Sequence, residues 1–205
     1  MNTTTLVIYS DYLWPWCYNA AVRVDLLKEE FGDQLKLDWR SFLLRPQPDN
    51  SRDLDKFRKY TKNWLKIGED KPSGEFREWQ SDSGPPSHSI PPHLVAKAAA
   101  ELGDEAFGSF HNALLKAYFS DNRDISSDKT LRSIWDECGL DAHEFDRSNN
   151  PQLLKTTIDQ HNEALNAGAN GAPAFRLSHN NAAIVGAHPV MTLSRWIKRA
   201  IEGEI

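Results

Sequence analysis

The residues of this chain best suited to chemistry stand close together near its start, in Asp11-Tyr12-Leu13-Trp14-Pro15-Trp16-Cys17. A thiol in the first turn of a helix faces unpaired N–H groups and the positive end of the dipole. That setting favours thiolate and can bring a cysteine below its free pKa of about 8.5. Cys17 is therefore the candidate catalytic residue, either a monothiol nucleophile or the thiol of a site for low-molecular-weight thiols. A second reading makes it a buried, inert thiol behind two indoles, because Pro15 suits the first helical position and puts Cys17 further in. A third sets Cys17 aside and gives the chemistry to a pocket of Trp14, Trp16, Tyr12 and Trp39 that holds a flat organic molecule. Asp11 reads as a turn or capping carboxylate rather than a proton carrier.

Other candidate groups are weaker. The seven histidines show no ligand spacing: His88 and His93 are split by two prolines and the rest stand alone, so no metal site is expected. His93 reads as a structural histidine at a helix start. No phosphate-binding glycine loop and no Ser-His-Asp order stands out. Cys17 and Cys138, far apart in sequence, read as two free thiols of a reducing compartment. A second anchor lies late in the chain, where Gly171-Ala172-Pro173-Ala174-Phe175 puts a proline at the start of a strand, a plausible cis position.

The elements that must position these groups follow from periodicity. Residues 5–9 are β-branched and aromatic, the composition of a buried strand. Cys17, Ala21, Val24, Leu27 and Phe31 then fall at helical spacing, and Gly32 stops the helix. Residues 35–44 alternate and then turn apolar, predicting a second strand parallel to the first in a right-handed β-α-β unit. Pro46 and Pro48 end it. A helix is expected over 53–68, with Leu54, Phe57, Tyr60, Trp64 and Leu65 on one face. Residues 69–92 read as a long loop forming a lid or rim over the site. Helices follow over 93–103, over 104–119 with Asp104 as cap, over 127–139 and over 141–147. Pro151 opens a helix over 152–167, with Leu154, Ile158, His161 and Leu165 along its apolar side. Strands 174–177 and 182–185 form an antiparallel hairpin around a turn at 178–181, and a last helix covers 190–201. The chain is thus α/β: residues 1–50 and 151–205 make one domain, split by an all-helical insertion, 51–150.

Composition narrows the function. A net charge of −5 lacks the cation excess of a phosphate-binding surface, so no nucleic-acid partner is expected. No apolar run approaches the roughly 18 residues of a membrane span. The N-terminus has no basic segment followed by an apolar one, so the expected location is cytoplasmic.

Trp14-Pro15-Trp16-Cys17 resembles the Cys-Pro-Trp-Cys motif of the DsbA-like thioredoxin-fold proteins, in particular their FrnE-like branch. So do Trp39-Arg40 with Phe42 and Pro46; Tyr118-Phe119 with Arg123-Asp124-Ile125-Ser126; Cys138-Gly139-Leu140-Asp141; and Ile184-Val185-Gly186-Ala187-His188-Pro189. The resemblance implies a thioredoxin-like fold with a large helical insertion between its β-α-β and α-β-β-α halves. It also implies a cis bond before Pro173, facing the start of the first helix. Trp14, Pro15, Trp16, Ala172 and Pro173 then become the substrate-binding residues, with the backbone of Ala172 as a strand edge for an extended peptide or glutathione. The chain departs from the family where the attacking cysteine belongs. Trp14 stands there, and related kappa-class glutathione transferases and 2-hydroxychromene-2-carboxylate isomerases carry a serine.

Three functions follow from the resemblance. The first is an oxidoreductase of the thiol–disulfide class whose dithiol exchange is impaired or replaced by monothiol chemistry. The second is a glutathione- or thiol-dependent transferase or isomerase, and the third a binding module without catalysis. No bound cofactor is expected; glutathione or another small thiol would be a co-substrate. Partners would be a thiol-containing peptide or a small aromatic or thiol substrate; whether the helical face of Trp135 and Tyr118 forms a homodimer is left open by the sequence.

Overall fold

The computed structural model describes residues 2–179 and 183–205. Strand β1 (Thr4–Ser10) is buried along almost its whole length, as its central run Leu6-Val7-Ile8-Tyr9 requires of an interior strand. Helix α1 (Pro15–Phe31) follows, then a 3-10 turn (Gly32–Gln34) and β2 (Leu35–Ser41). β2 lies parallel to β1, with Leu6 opposite Leu37 and Ile8 opposite Trp39. After the helical insertion and α6 (Pro151–Asn166) come β3 (Ala174–Leu177), β4 (Ala183–Val185) and α7 (Val190–Ile201). β3 runs antiparallel to both β1 and β4, giving the order β2-β1-β3-β4. This is the expected thioredoxin-like arrangement. Part of the turn and strand expected over 178–185 falls on residues 180–182, outside the described residues.

Each face of the sheet buries its own cluster. Leu6, Ile8, Phe175 and Leu177 meet Ala20, Val24 and Leu27 of α1 and Leu193 and Ile197 of α7. Val7 and Tyr9 pack with Cys17, Phe42 and Ala164. The insertion contributes α2 (Leu54–Gly68), α3 (Ile90–Ala100), α4 (Asp104–Phe119), α5 (Asp128–Glu137) and a 3-10 stretch (Ala142–Asn149). Its core of Trp64, Trp79, Phe110, Tyr118, Trp135 and Phe145 also takes in Tyr12 and Leu13 from the turn after β1. Trp39 packs against both this cluster and the one under α1.

Several sequence expectations shift. Asp53 caps α2 by accepting the Lys56 N–H at 2.8 Å, but Tyr60 and Leu65 face solvent and Thr61 is buried in their place. α3 begins at Ile90 rather than 93, because Pro91 and Pro92 fit a first turn that needs no N–H. Gly103, not Asp104, is the cap residue of α4, and residues 141–147 fall in a 3-10 rather than an α stretch. Trp135 and Tyr118 lie in the insertion's core, so the face suggested for a dimer is not a surface.

α6 is turned by about one residue from its expected face. Leu154, Ile158 and Leu165 are exposed, whereas Leu153, Thr157 and Ala164 are buried. Polar contacts to the sheet set that rotation. Glu163 accepts from Tyr9 Oη at 2.8 Å and Arg176 at 2.7 Å and also binds Arg40. Gln160 takes the Ser41 N–H and His161 Nδ1 that of Leu43.

Candidate functional site

Pro15 occupies the first position of α1 and Trp14 its cap position, with no side-chain bond at the cap. Cys17 therefore sits third in the helix, its N–H donating to Trp14 O at 2.9 Å. The N–H of Trp16 has no backbone acceptor among the described residues. Opposite this helix start lies the turn before β3, where the Ala172–Pro173 bond is cis. Trp14, Trp16, Ala172 and Pro173 line one open groove of about 300 Å³, bordered also by Asp70, Gly186 and Ala187. Pro15 is buried beneath. The backbone N–H and C=O of Ala172 make no hydrogen bond among the described residues, so the groove wall offers an unpaired peptide group.

Cys17 is not open to that groove. It is 0 % exposed and packed among Val7, Tyr9, Phe42, Ala172 and Ala174, with Trp14 leaning on the same cluster. The Asp11 N–H donates to its Sγ at 3.4 Å, which favours thiolate, as does Ser10, but burial outweighs both and pushes the thiol up to about 12. The expectation of a catalytic thiolate at a helix N-terminus thus meets a correction: the helix start is there, but the sulfur is dry. Cys138 is half-buried at the end of α5, and neither cysteine is paired.

Asp11 is fully buried and builds the turn. Its Oδ1 accepts from the Leu13 N–H at 2.7 Å; its Oδ2 accepts from the Leu44 N–H and Ser89 Oγ, each at 2.6 Å. The turn after β1 is thereby tied to the segment after β2 and to the start of α3. Desolvation raises this carboxyl to about 6 in spite of the three donors. His93 is buried, and desolvation holds it far below the usual imidazole range. Among the described residues no histidine, cysteine or carboxylate cluster could hold a metal.

Tyr12 and Trp39 do not join Trp14 and Trp16. They line a separate cavity with His93, Lys97 and His111, which corrects the four-aromatic pocket. Tyr12 follows Asp11 into the core, where its Oη meets His111 Nδ1 at 2.8 Å.

A family model described as the DSBA-like thioredoxin domain matches residues 5–198. The chain belongs to that family. Solved structures with this DsbA-like fold include a putative protein disulfide isomerase from Nitrosomonas europaea, at TM-score 0.81 and 14% identity over 99% of both chains. The cytosolic disulfide reductase DsbM from Pseudomonas aeruginosa, in a structure with GSH, aligns at TM-score 0.74 and 20% identity over 98% of both. A 2-hydroxychromene-2-carboxylate isomerase aligns at 0.69 and 17%, covering 98% of this chain and 97% of the other. At these identities the likenesses show the fold.

Within this DsbA-like fold the groove's rim depends on a residue that sequence reasoning passed over. Arg23 of α1 is 1% exposed. It donates to Pro72 O at 3.0 Å, Ala187 O at 2.6 Å and Asp70 O at 2.6 Å, and pairs with the Asp70 carboxylate at 2.9 Å. One guanidinium thus clamps the loop after α2 and the loop after β4 to the same helix. One turn earlier, Asn19 bonds Ile67 O and the Gly74 N–H. Gly74 is needed there, since a Cβ would come within 2.3 Å of the Tyr18 ring. A polar pair at i and i+4 flanking an apolar stripe was the available signal. Of the long loop expected over 69–92, Asp70 lines the groove, and these bonds hold it in place.

Proposed function

We propose that the groove between the start of α1 and the Ala172–Pro173 turn binds a small thiol peptide of the glutathione class, and that the reacting sulfur belongs to the ligand. The observation that carries this is the contrast between a fully buried Cys17 and an open groove whose own groups are peptide donors and acceptors. A dithiol cycle within one chain needs an attacking thiolate and a resolving thiol in reach. Here Trp14 occupies the attacking position, Cys17 lies beneath it, and Cys138 belongs to another element. What the groove keeps is recognition. The Trp16 N–H at the positive end of α1 suits a thiolate or carboxylate, and the Ala172 peptide group suits pairing with an extended backbone. The DsbM structure with GSH, similar in fold, supports the choice of ligand class.

In this reading the ligand thiolate adds to an electrophilic carbon of a small aromatic substrate, forming a C–S bond. For an isomerase that bond later breaks and returns the thiol, with no net redox change. The 2-hydroxychromene-2-carboxylate isomerase likeness and the indoles of Trp14 and Trp16 favour this over disulfide exchange. A reducing, cytoplasmic setting follows for a protein that depends on a free thiol.

Calorimetry with reduced glutathione tests the reading. Binding at millimolar concentration or tighter is expected, with a matching rise in Tm and an affinity kept within about twofold in Cys17→Ala. Insulin reduction by dithiothreitol should run no faster with the protein than without it. Absence of glutathione binding, or loss of binding in Cys17→Ala, contradicts the proposal.

A further inference from the structure

The cavity that holds Tyr12 and Trp39 shares no lining residue with the groove and lies against β2, α3, α4 and α6. We infer that it is a second binding site, for a small aromatic carboxylate. Its volume of about 320 Å³ is at the small end of ligand pockets, which run from roughly 300 to 1,000 Å³. One wall is apolar, formed by Trp39, Phe107, Ala96 and Leu153. Trp39 and Phe107 pack against the His111 ring at 4.4 and 5.2 Å between centroids, tilted by 45° and 34°, so aromatic rings border the space.

The other wall is cationic, and its charges do not cancel. Arg40 and Arg176 are matched by Asp38 and Glu163 through direct ion pairs. Glu101, at the edge of the cavity, is held by Arg147 at 3.3 Å. Lys97 has no carboxylate within pairing distance among the described residues; its Nζ donates only to Gln160 Oε1, at 2.6 Å. That oxygen is shared with the Ser41 N–H. An ammonium on a cavity wall with one neutral partner leaves a positive charge and two donor hydrogens uncommitted. Burial lowers its pKa to about 8, which keeps it mostly protonated at neutral pH. Three more polar atoms of the lining residues, Ser41 Oγ, His93 Nε2 and His111 Nε2, are buried without a hydrogen-bond partner among the described residues. A carboxylate at Lys97 with its ring against Trp39 matches both walls, and a charge-assisted bond is the strong kind available.

Benzoate and its neutral isostere benzamide, titrated calorimetrically into the full chain, test this. Benzoate should bind at least about tenfold more tightly than benzamide. Lys97→Met should abolish that preference while leaving benzamide unchanged, and Lys97→Gln, which keeps a polar end, should do the same. Ala100→Trp, on an exposed position at the cavity mouth, should weaken both ligands and leave glutathione binding as in the wild type. Equal affinity for benzoate and benzamide, no binding of benzoate at about 10 mM, or a benzoate affinity unmoved by the Lys97 variants overturns the inference. The benzoate and benzamide titrations do not depend on glutathione binding, so the two sites succeed or fail separately.

Discussion

At Cys17 two effects of opposite sign compete. The helix start and the Asp11 N–H favour a thiolate, while a dry surround of Val7, Tyr9 and Phe42 opposes any charge. Desolvation is the larger, as it generally is for a fully buried group. The same competition at Asp11 has a consequence for stability. Burial raises the folded carboxyl from 3.8 to about 6, so the native state holds a proton that the unfolded chain has released between those values. This group's contribution is therefore fully present below about pH 4 and lost as pH rises through about 6, a difference of up to about 3 kcal/mol. Urea denaturation of the wild type and Asp11→Asn should accordingly show the wild type's relative stability falling between pH 4 and pH 7. A relative stability that rises over that range would mean the three donors to Asp11 outweigh its burial.

α1 and α6 show how far an element's surroundings override its periodicity. The stripe of Leu154, Ile158 and Leu165 has the spacing of a buried face, yet it points outward because Glu163, Gln160 and His161 bind the sheet. In α1 the apolar stripe is buried as its spacing predicts, but the polar Arg23 beside it carries the tie to the groove's rim. Arg23→Met would leave four backbone acceptors (Pro72, Ala187, His188 and Asp70) and the Asp70 carboxylate without their donor. A loss of about 3 kcal/mol in urea denaturation is expected, along with weaker glutathione binding as the loops at Asp70 and Ala187 come loose. A variant with wild-type stability would show that water replaces the guanidinium at no cost.

For the whole molecule, the chain order was legible because strands, glycine stops and proline starts are local signals. The parallel β1–β2 pair and the late hairpin followed from them, and the meeting of residue 14 with residue 173 followed from family resemblance. The partition of the aromatic residues was not legible. Tyr12 and Trp39 are near Trp14 in sequence or in the sheet, but Asp11 bends the turn so that Tyr12 enters the insertion's core. Nor could spacing tell a thiol on the helix's open side from one against the sheet. Since Tyr12, Leu13 and Trp39 bind the insertion's core to the sheet, residues 51–150 and the rest should unfold together. Circular dichroism and tryptophan fluorescence should give coincident urea transitions; two separated transitions would deny that coupling. The same coupling gates Cys17, which can meet solvent only when the molecule opens. Site-resolved alkylation of Cys17 by iodoacetamide at pH 8, followed across a urea titration, is therefore the decisive measurement. The account predicts no modification of the native protein and a rise that tracks global unfolding; modification in native buffer at a rate near that of a free thiol would contradict it.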